Sequence, residues 1–354
     1  MKIEIVTIHR LNNFGSAFQA MALYRYISEL GYDVELLDYH PSYYKGNKLK
    51  NFIGRMLFFK ELQNRERKFN SFIENNTRLS KLHYTKFTEV RDRYPKADLY
   101  IAGGDQLWNY NHICGNDDTY KLTFWNGRKI SYGTSLGCNV FLNEQLQDLK
   151  SKISSYESIG VREKQSVLLL SSLGLNATWV VDPVMLYSKD LYENILIAPR
   201  EIEKYVFVYL VAPSKTLDDV INFLAKECKL KIIVYSGFGH KCRCDEQKRD
   251  LGPEEVIGYI RNAEFVLSSS FHATVFSILF QKKFAVILPG DTTNERLYDL
   301  LSWTDLQDTI VSAFEDIVNI YKKKSWYTLE LQQIIEERVE ASKKYLQKAI
   351  KGNN

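Results

Sequence analysis

His272 stands in SSFHATVFS (269–277), where an apolar strand-like run gives way to an apolar helix-like run. An imidazole at a helix start beside a bound anion can exchange protons near neutral pH. Ser270, Thr274 and the amides of the same turn suit a phosphate or carboxylate whichever role the ring takes. The competing reading makes His272 a cap or a core-fitted ring. Arg162 in VREKQS (161–166) offers a guanidinium fork with the bidentate geometry that carboxylates and phosphates accept, while Glu163 and Lys164 read as a charged first helical turn. Asn294 and Arg296 follow the last clear strand of the chain, and Arg296 is either a second anion ligand or one half of an ion pair between elements.

A second set lies earlier. In GGDQLWN (103–109), Asp105, Gln106 and Asn109 could bind sugar hydroxyls, with Asp105 as a base or, equally, as the cap of a following helix. Gly103 and Gly104 would let a ligand approach the backbone. In NNFGS (12–16), Asn13, Gly15 and Ser16 form a strand-to-helix turn whose amides favour an anion. The turn lacks the complete G-x-G-x-x-G fingerprint, so neither a nicotinamide nor a flavin is expected. Asp182 and Pro183 read as a strand-end turn, structural rather than catalytic.

The elements that must position these residues alternate along the chain. KIEIVTI (2–8) is β-rich, and Phe18, Met21, Ala22, Leu23, Tyr26, Ile27 and Leu30 recur at helical spacing before Gly31. DVELLDY completes a β-α-β opening of the doubly wound type. Further strands are predicted at 97–104, 129–137, 157–161 and 178–183, then at 204–211, 231–237, 263–270 and 283–290. Helices are predicted at 216–228, 254–262 and 273–281. The fold class is therefore α/β, with two facing Rossmann-like, doubly wound domains. The expected division is 1–195, 196–325 and a C-terminal helix within 326–354 that packs back on the first domain. In such folds ligands gather at the strands' carboxyl ends, here across an interdomain cleft.

Composition excludes several classes. Hydrophobic residues make up 45% and charged residues 25%, which indicates neither disorder nor a fibrous repeat. A net charge of +4 is too small to argue for a nucleic-acid partner. Between Lys45 and Lys68, eight Lys or Arg face two Glu among interleaved apolar residues. That basic amphipathic stretch suits an anionic membrane surface or a helix docked on its own domain. Glu4 and His9 interrupt any export signal, and no stretch reaches spanning length, so a cytoplasmic location is expected, with peripheral contact at the inner membrane through 45–68. The five cysteines are expected as free thiols, and GHKCRCDE, with His240, Cys242 and Cys244, as a surface loop without metal.

Taken in order, the strand-end motifs resemble the polysaccharide pyruvyl transferase family. That family carries Asn-x-Gly-x-x-x-Gln-Ala, Gly-Ser-Asp-Gln-x-Trp-Asn, Ser-Phe-Gly, Val-Arg-Glu-Lys, Asp-Pro and Ser-Phe-His-Gly-Thr-x-x-Ser elements, followed by Asn-x-Arg. Counterparts run over roughly residues 4–302 here. The resemblance implies a GT-B-like fold and transfer of the pyruvyl group of phosphoenolpyruvate onto sugar hydroxyls of a surface polysaccharide or its lipid-linked precursor, as in exopolysaccharide or capsule synthesis. It implies no metal and no cofactor beyond phosphoenolpyruvate as donor. It assigns catalysis to His272, Arg162 and Asp105, and donor binding to Arg162, Ser270, His272, Thr274, Asn294 and Arg296. Acceptor binding falls to Asn13, Gly15, Ser16, Gln19, Asp105, Gln106 and Asn109. This chain departs from the family at Ser269 and Ala273 beside His272, at Gly104 and at Leu136. Two other functions suit the same architecture: a GT-B glycosyltransferase using a nucleotide-sugar donor, and a non-catalytic carbohydrate-binding assembly protein.

Overall fold

Most strands are short runs rich in Val, Ile, Tyr and Phe and buried on both faces, the pattern that parallel sheets demand, while the edge strands at 33–36, 177–179 and 246–248 are partly exposed. The structure is a computed structural model describing residues 1–45, 58–137, 140–201, 203–210, 217–235, 243–288, 294–323 and 326–352. The chain divides into two compact units, one of Met1–Lys50, Asn70–Leu186 and Ile335–Asn354, the other of Asn51–Phe69 and Tyr187–Ile334. The division falls at Leu186/Tyr187 rather than between 195 and 196.

In the first unit, β1 (Lys2–Val6), β2 (Asp33–Leu36), β3 (Leu99–Ala102), β4 (Lys129–Thr134), β5 (Ser158–Val161) and β6 (Ala177–Trp179) pair in parallel in the order β2-β1-β3-β4-β5-β6. The chain also forms α1 (Phe14–Glu29), α2 (Phe59–Asn76), α3 (Phe87–Arg93), α4 (Asn143–Ile153) and α5 (Lys164–Ser172). Helix α1 ends at Leu30, and Gly31 follows at φ +88°, a left-handed conformation that glycine takes without a Cβ clash.

The second unit holds a five-stranded sheet: β7 (Tyr205–Tyr209), β8 (Lys231–Tyr235), β9 (Glu246–Lys248), β10 (Phe265–Ser268) and β11 (Phe284–Val286), all parallel, in the order β11-β10-β7-β8-β9. Its chain also forms α6 (Lys189–Glu193), α7 (Leu217–Asn222), α8 (Pro253–Asn262), α9 (Phe271–Leu279), α10 (Asn294–Trp303) and α11 (Phe314–Lys322). Strand β9 was not expected, and the helix expected over 216–228 changes to a π-helical turn at Phe223–Glu227. His240 and Cys242 lie outside the described residues.

In the last helix, α12 (Leu329–Lys351), the part from Ile335 onward counts with the first unit. There Ser342 Oγ accepts from Val181 N at 3.0 Å, Tyr345 donates to Ser131 O at 3.1 Å, and Gln347 donates to the Tyr26 hydroxyl at 3.0 Å. Leu346 and Ile350 are fully buried.

Of the basic stretch, residues 46–57 lie outside the described residues. Residues 64–68 dock on their own unit: Lys68 pairs with Glu255 at 2.6 Å, Asn64 donates to Asp250 at 2.8 Å, and the Arg65 guanidinium lies 5.1 Å from the Tyr235 ring centre. Among the described residues no helix is long and apolar enough to cross a membrane.

Strand β1 carries a buried carboxyl at its centre. Glu4 has no exposed surface, stands in register with Glu35 on β2, and lies 3.7 Å from Lys2 Nζ, which is closer to Glu35 at 2.8 Å. Burial first, then the adjoining Glu35, pushes the Glu4 carboxyl up to about 8. The folded chain therefore keeps a proton that the unfolded chain loses near the ordinary carboxylate value. Stability from this group is present at low pH, falls as pH rises through that window, and levels off above about pH 8. Glu4→Gln should flatten the fall, with a gain of roughly 2–4 kcal/mol at about pH 9 and little at about pH 5. Urea unfolding at both pH values checks this, and an unchanged slope in the variant would count against it.

Candidate functional site

Each sheet has one place where strand order reverses: between β1 and β3 in the first unit, and between β7 and β10 in the second. Loops leaving the carboxyl ends of those strands splay apart, and ligands of doubly wound sheets bind there. The loop after β1 leads through Asn13 into the first turns of α1 with Gly15, Ser16 and Gln19, the loop after β3 carries residues 103–109, and the turn after β10 leads through Ser270 into the first turn of α9 with His272 and Thr274.

In the first unit the sheet brings the acceptor candidates together. Ser16 Oγ donates to Asp105 Oδ2 at 2.5 Å, and the Gln106 amide donates to Asp105 Oδ1 at 2.8 Å. No helix follows Asp105, so it is not the cap that the sequence allowed. It sits instead at φ +75°, held there by Ser135 N and Leu107 N donating to its carbonyl at 2.8 and 2.9 Å. A left-handed L-residue costs on the order of 1–2 kcal/mol, least for Asp or Asn, and such strain collects at functional sites. Gln19 donates to Thr7 Oγ1, Ile8 O and Ser16 O at 2.9–3.1 Å. Asn109 donates to Gln106 Oε1 at 2.7 Å, and Gly137 beside them has φ +75°, where an added Cβ would lie 2.2 Å from Asn109 Nδ2.

Two expectations change here. The Gly15 and Ser16 amides already donate to the capping Asn13 Oδ1 at 3.0 and 3.4 Å, so they serve α1 rather than standing open for an anion. A Cβ on Gly103 would meet Thr7 Cβ at 2.9 Å, and one on Gly104 would meet Gln19 Oε1 at 2.7 Å and Pro183 Cγ at 2.9 Å. These glycines make room for the protein's own packing.

Arg162, after β5, is buried and held by carboxylates. Its Nη1 donates to Asp182 Oδ2 at 2.6 Å and its Nε to Glu163 Oε1 at 3.2 Å. Ser166 Oγ donates to Glu163 Oε2 at 3.1 Å, and Val184 N to Asp182 Oδ1 at 3.0 Å. Burial alone works against the charge, and Glu163, Asp182 and Asp105 outweigh it, so the arginine is held more firmly cationic than usual. Glu163 and Asp182 are thus more than a charged helical turn and a strand-end turn: they fix the guanidinium.

In the second unit, Ser268 Oγ donates to Tyr209 O at 2.7 Å and accepts from Ser270 N at 2.9 Å, tying the end of β10 to β7. Ser270 then caps α9, its Oγ accepting from Ala273 N at 3.4 Å. The Thr274 hydroxyl donates to Ser270 O at 3.0 Å, a bond within the helix. His272 is 5% exposed in the first turn of α9, its ring perpendicular to Phe271 at 5.2 Å. The Arg296 guanidinium lies 5.9 Å from the centre of that Phe271 ring, and Asn294 is the first residue of the same helix, α10. Phe271 thus packs against both the imidazole and a cation. Among the described residues no group of three or more His, Cys, Asp or Glu side chains could hold a metal ion.

The sequence model described as Polysaccharide pyruvyl transferase matches residues 13–291, well over half of the chain. The chain belongs to the polysaccharide pyruvyl transferase family. No curated protein sequence is detectably similar to it. Among solved structures it resembles UDP-GlcNAc 2-epimerase from Neisseria meningitidis bound to UDP-GlcNAc, at 13% identity and TM-score 0.54, over 99% of this chain and 100% of that one. The UDP-GlcNAc 2-epimerases of Methanocaldococcus jannaschii (11% identity, 96% and 99% covered, TM-score 0.53) and Rickettsia bellii (15%, 98% and 95%, 0.53) are similar in the same way. At these identities the likeness is one of fold, two Rossmann-like domains of the GT-B type.

This member of the pyruvyl transferase family also carries polar groups that the motifs did not single out. Arg10, after β1, grips Asp38, after β2, through Nε to Oδ1 at 2.8 Å and Nη2 to Oδ2 at 2.9 Å. His83 Nδ1 lies 3.1 Å from Asp38 Oδ2, and the fully buried His9 ring lies with Nε2 3.7 Å from Oδ1 while its Nδ1 donates to Thr7 O. Burial alone would raise the Asp38 carboxyl, but His9 and Arg10 hold it well below the usual carboxylate range. The only signal for this cluster in the sequence is His-Arg after one strand and Asp after the next.

Proposed function

We propose that the chain moves the pyruvyl group of phosphoenolpyruvate onto two hydroxyls of a sugar in a surface polysaccharide or its lipid-linked precursor. The observation that carries this reading is a buried histidine in the first turn of α9, at the reversal of the second sheet, with the Arg296 guanidinium packed against the same Phe271 ring. The chemistry needs a proton for the methylene carbon, cations for the carboxylate and phosphate, and a base for the sugar. His272 delivers the proton, which turns the methylene into a methyl group and leaves the adjacent carbon open to a sugar oxygen. The second hydroxyl then displaces phosphate and closes the ketal; one hydroxyl proton replaces the one His272 gave, and the other leaves with phosphate. Arg296, with Asn294, Ser270 and Thr274, serves the donor anion. Arg162 adds positive field, and Asp105, with Ser16, Gln106 and Asn109, receives the acceptor. The reaction as proposed uses no metal or other cofactor.

Incubation with phosphoenolpyruvate and an acceptor glycan should release phosphate and add the mass of pyruvate less water. Thermal stabilisation by UDP-GlcNAc, with none by phosphoenolpyruvate and no phosphate release, would instead select a nucleotide-sugar glycosyltransferase. The proposed setting is the cytoplasm, at the inner membrane surface where lipid-linked acceptors lie. The basic stretch 45–68 should then co-sediment the protein with anionic vesicles in a salt-sensitive way, and neutralising Lys48, Lys50 and Arg55 should weaken it; binding that ignores those changes speaks against the contact.

A further inference from the structure

A pocket of about 400 Å³ opens in the first unit, within the size of small-molecule sites, and no residue assigned above lines it. Its walls come from three segments that leave the carboxyl-end side of the first sheet: Tyr39–Tyr43 after β2, Thr85–Phe87 at the start of α3, and Ile113–Asp118 in the long connection after β3. Backbone bonds set two of these side by side, with His40 N donating to Tyr84 O and Ser42 N to Thr85 O. Cys114, between the third segment's pocket residues, donates to Gln106 O at 3.3 Å, which ties this wall of the pocket to the Asp105 loop.

The chemistry of the lining is specific. Tyr39 and Tyr43 both donate to Asp117 Oδ2, at 2.6 and 2.7 Å, and Thr119 N donates to Oδ1 at 2.9 Å. With their protons committed to a carboxylate, the phenols present acceptor oxygens, and burial together with the Asp117 charge raises both hydroxyls far above their ordinary range. Asp118 is paired with Lys152 at 2.7 Å. Half-buried Tyr43 and Phe87, with Ile113 at 55% exposure, add apolar surfaces around this polar floor. Lys86 also lines the pocket, but so does Asp117, and with Asp118 paired to Lys152 the lining holds no excess positive charge for an anionic donor. A ring with apolar C–H faces and a rim of hydroxyls satisfies both halves of the lining.

We propose that this pocket holds a neutral sugar ring of the acceptor, next to the ring whose hydroxyls react, so that the chain selects an oligosaccharide over a monosaccharide. The inference rests on the reading of the chain as an enzyme acting on glycans, but it is tested by binding alone. Saturation-transfer NMR titrations on the full chain, without phosphoenolpyruvate, would use lactose, cellobiose and maltose against methyl β-galactoside and methyl glucosides. At least one disaccharide should bind about fivefold or more tighter than its monosaccharide, the equivalent of roughly 1 kcal/mol of added contact. Phe87→Ala should erase that ratio, and Tyr43→Phe, which keeps the ring and removes one hydroxyl, should reduce it; unchanged thermal melts establish that both variants fold. No preference for any disaccharide, or a preference untouched in both folded variants, overturns the proposal. A protein that shows the ratio yet consumes no phosphoenolpyruvate refutes pyruvyl transfer and keeps the pocket; turnover without the ratio does the reverse.

Discussion

Replacing His272 by alanine is expected to lower pyruvyl transfer by about 10²–10⁴, the usual worth of a positioned proton donor. The ring is buried in the first turn of α9, with Phe271 perpendicular to it at 5.2 Å. Three readouts separate this role from structural support. His272→Asn should melt close to wild type, because it keeps polarity and reduces volume at one helix turn only. It should still be stabilised by phosphoenolpyruvate, because Arg296 and the α9 turn remain. Its kcat should fall, with loss of whichever limb of the pH profile reports the imidazole. A fully active, folded His272→Asn protein would remove histidine from the mechanism and turn attention to Asp105, which has a left-handed backbone and a 2.5 Å bond to Ser16. The neighbours Ser269 and Ala273 bear on this experiment. Where the family has an acidic residue and a glycine, this chain offers neither a charge nor a bare backbone, and the ring packs against Phe271.

Strand ends were legible in the sequence because parallel strands are near-continuous apolar runs and stop at small or polar residues. Each predicted strand lies where one of β1–β8, β10 and β11 forms. Strand β9 was not legible: Glu246, Gln247 and Lys248 carry no apolar pattern, and ion pairs of Glu246 with Lys231 and Lys248 accompany its pairing with β8. Local motifs also located the β1 and β3 loops, yet did not announce the structural duties that several of their residues carry. Capping explains Asn13, and packing against Thr7, Gln19 and Pro183 explains Gly103 and Gly104. Partners distant in sequence stayed hidden. Arg10 meets Asp38 because β1 and β2 are paired in register, and Tyr43 meets Asp117 across 74 residues. No spacing rule within one element reports such contacts.

The Arg162 network supplies the other large effect. Strands β5 and β6 pair with Val161 opposite Trp179, so the residues just beyond each strand, Arg162 and Asp182, meet although they are twenty positions apart. The Asp182 carboxylate is completely enclosed, with 1% of its residue surface exposed, and Arg162 has 4%. Removing one member of such a pair strands the other's charge in a poor solvent. Arg162→Met and Asp182→Leu are each expected to cost about 3–5 kcal/mol in urea unfolding, whereas the double variant should recover part of the loss, because the Arg162–Asp182 pair is gone and only Glu163, still bonded to Ser166, keeps a charge without its cation. Additive losses in the double variant would show that the two residues act on stability through separate contacts. The same three proteins then decide what the arginine does in the reaction. If Arg162 only holds the β5 and β6 ends in place, the stable double variant should regain activity with its fold. If its cationic field serves the donor or the developing phosphate, the double variant should be folded and still inactive, and Arg162→Lys should retain more activity than stability alone predicts. Glu163, bonded to both Arg162 and Ser166, gives an independent check: Glu163→Gln keeps the hydrogen-bonding shape and removes one compensating charge, so it should leave the fold nearly intact while strengthening the positive field at Arg162. Under the catalytic role that change lowers KM for phosphoenolpyruvate, and under the purely structural role it leaves KM where it was.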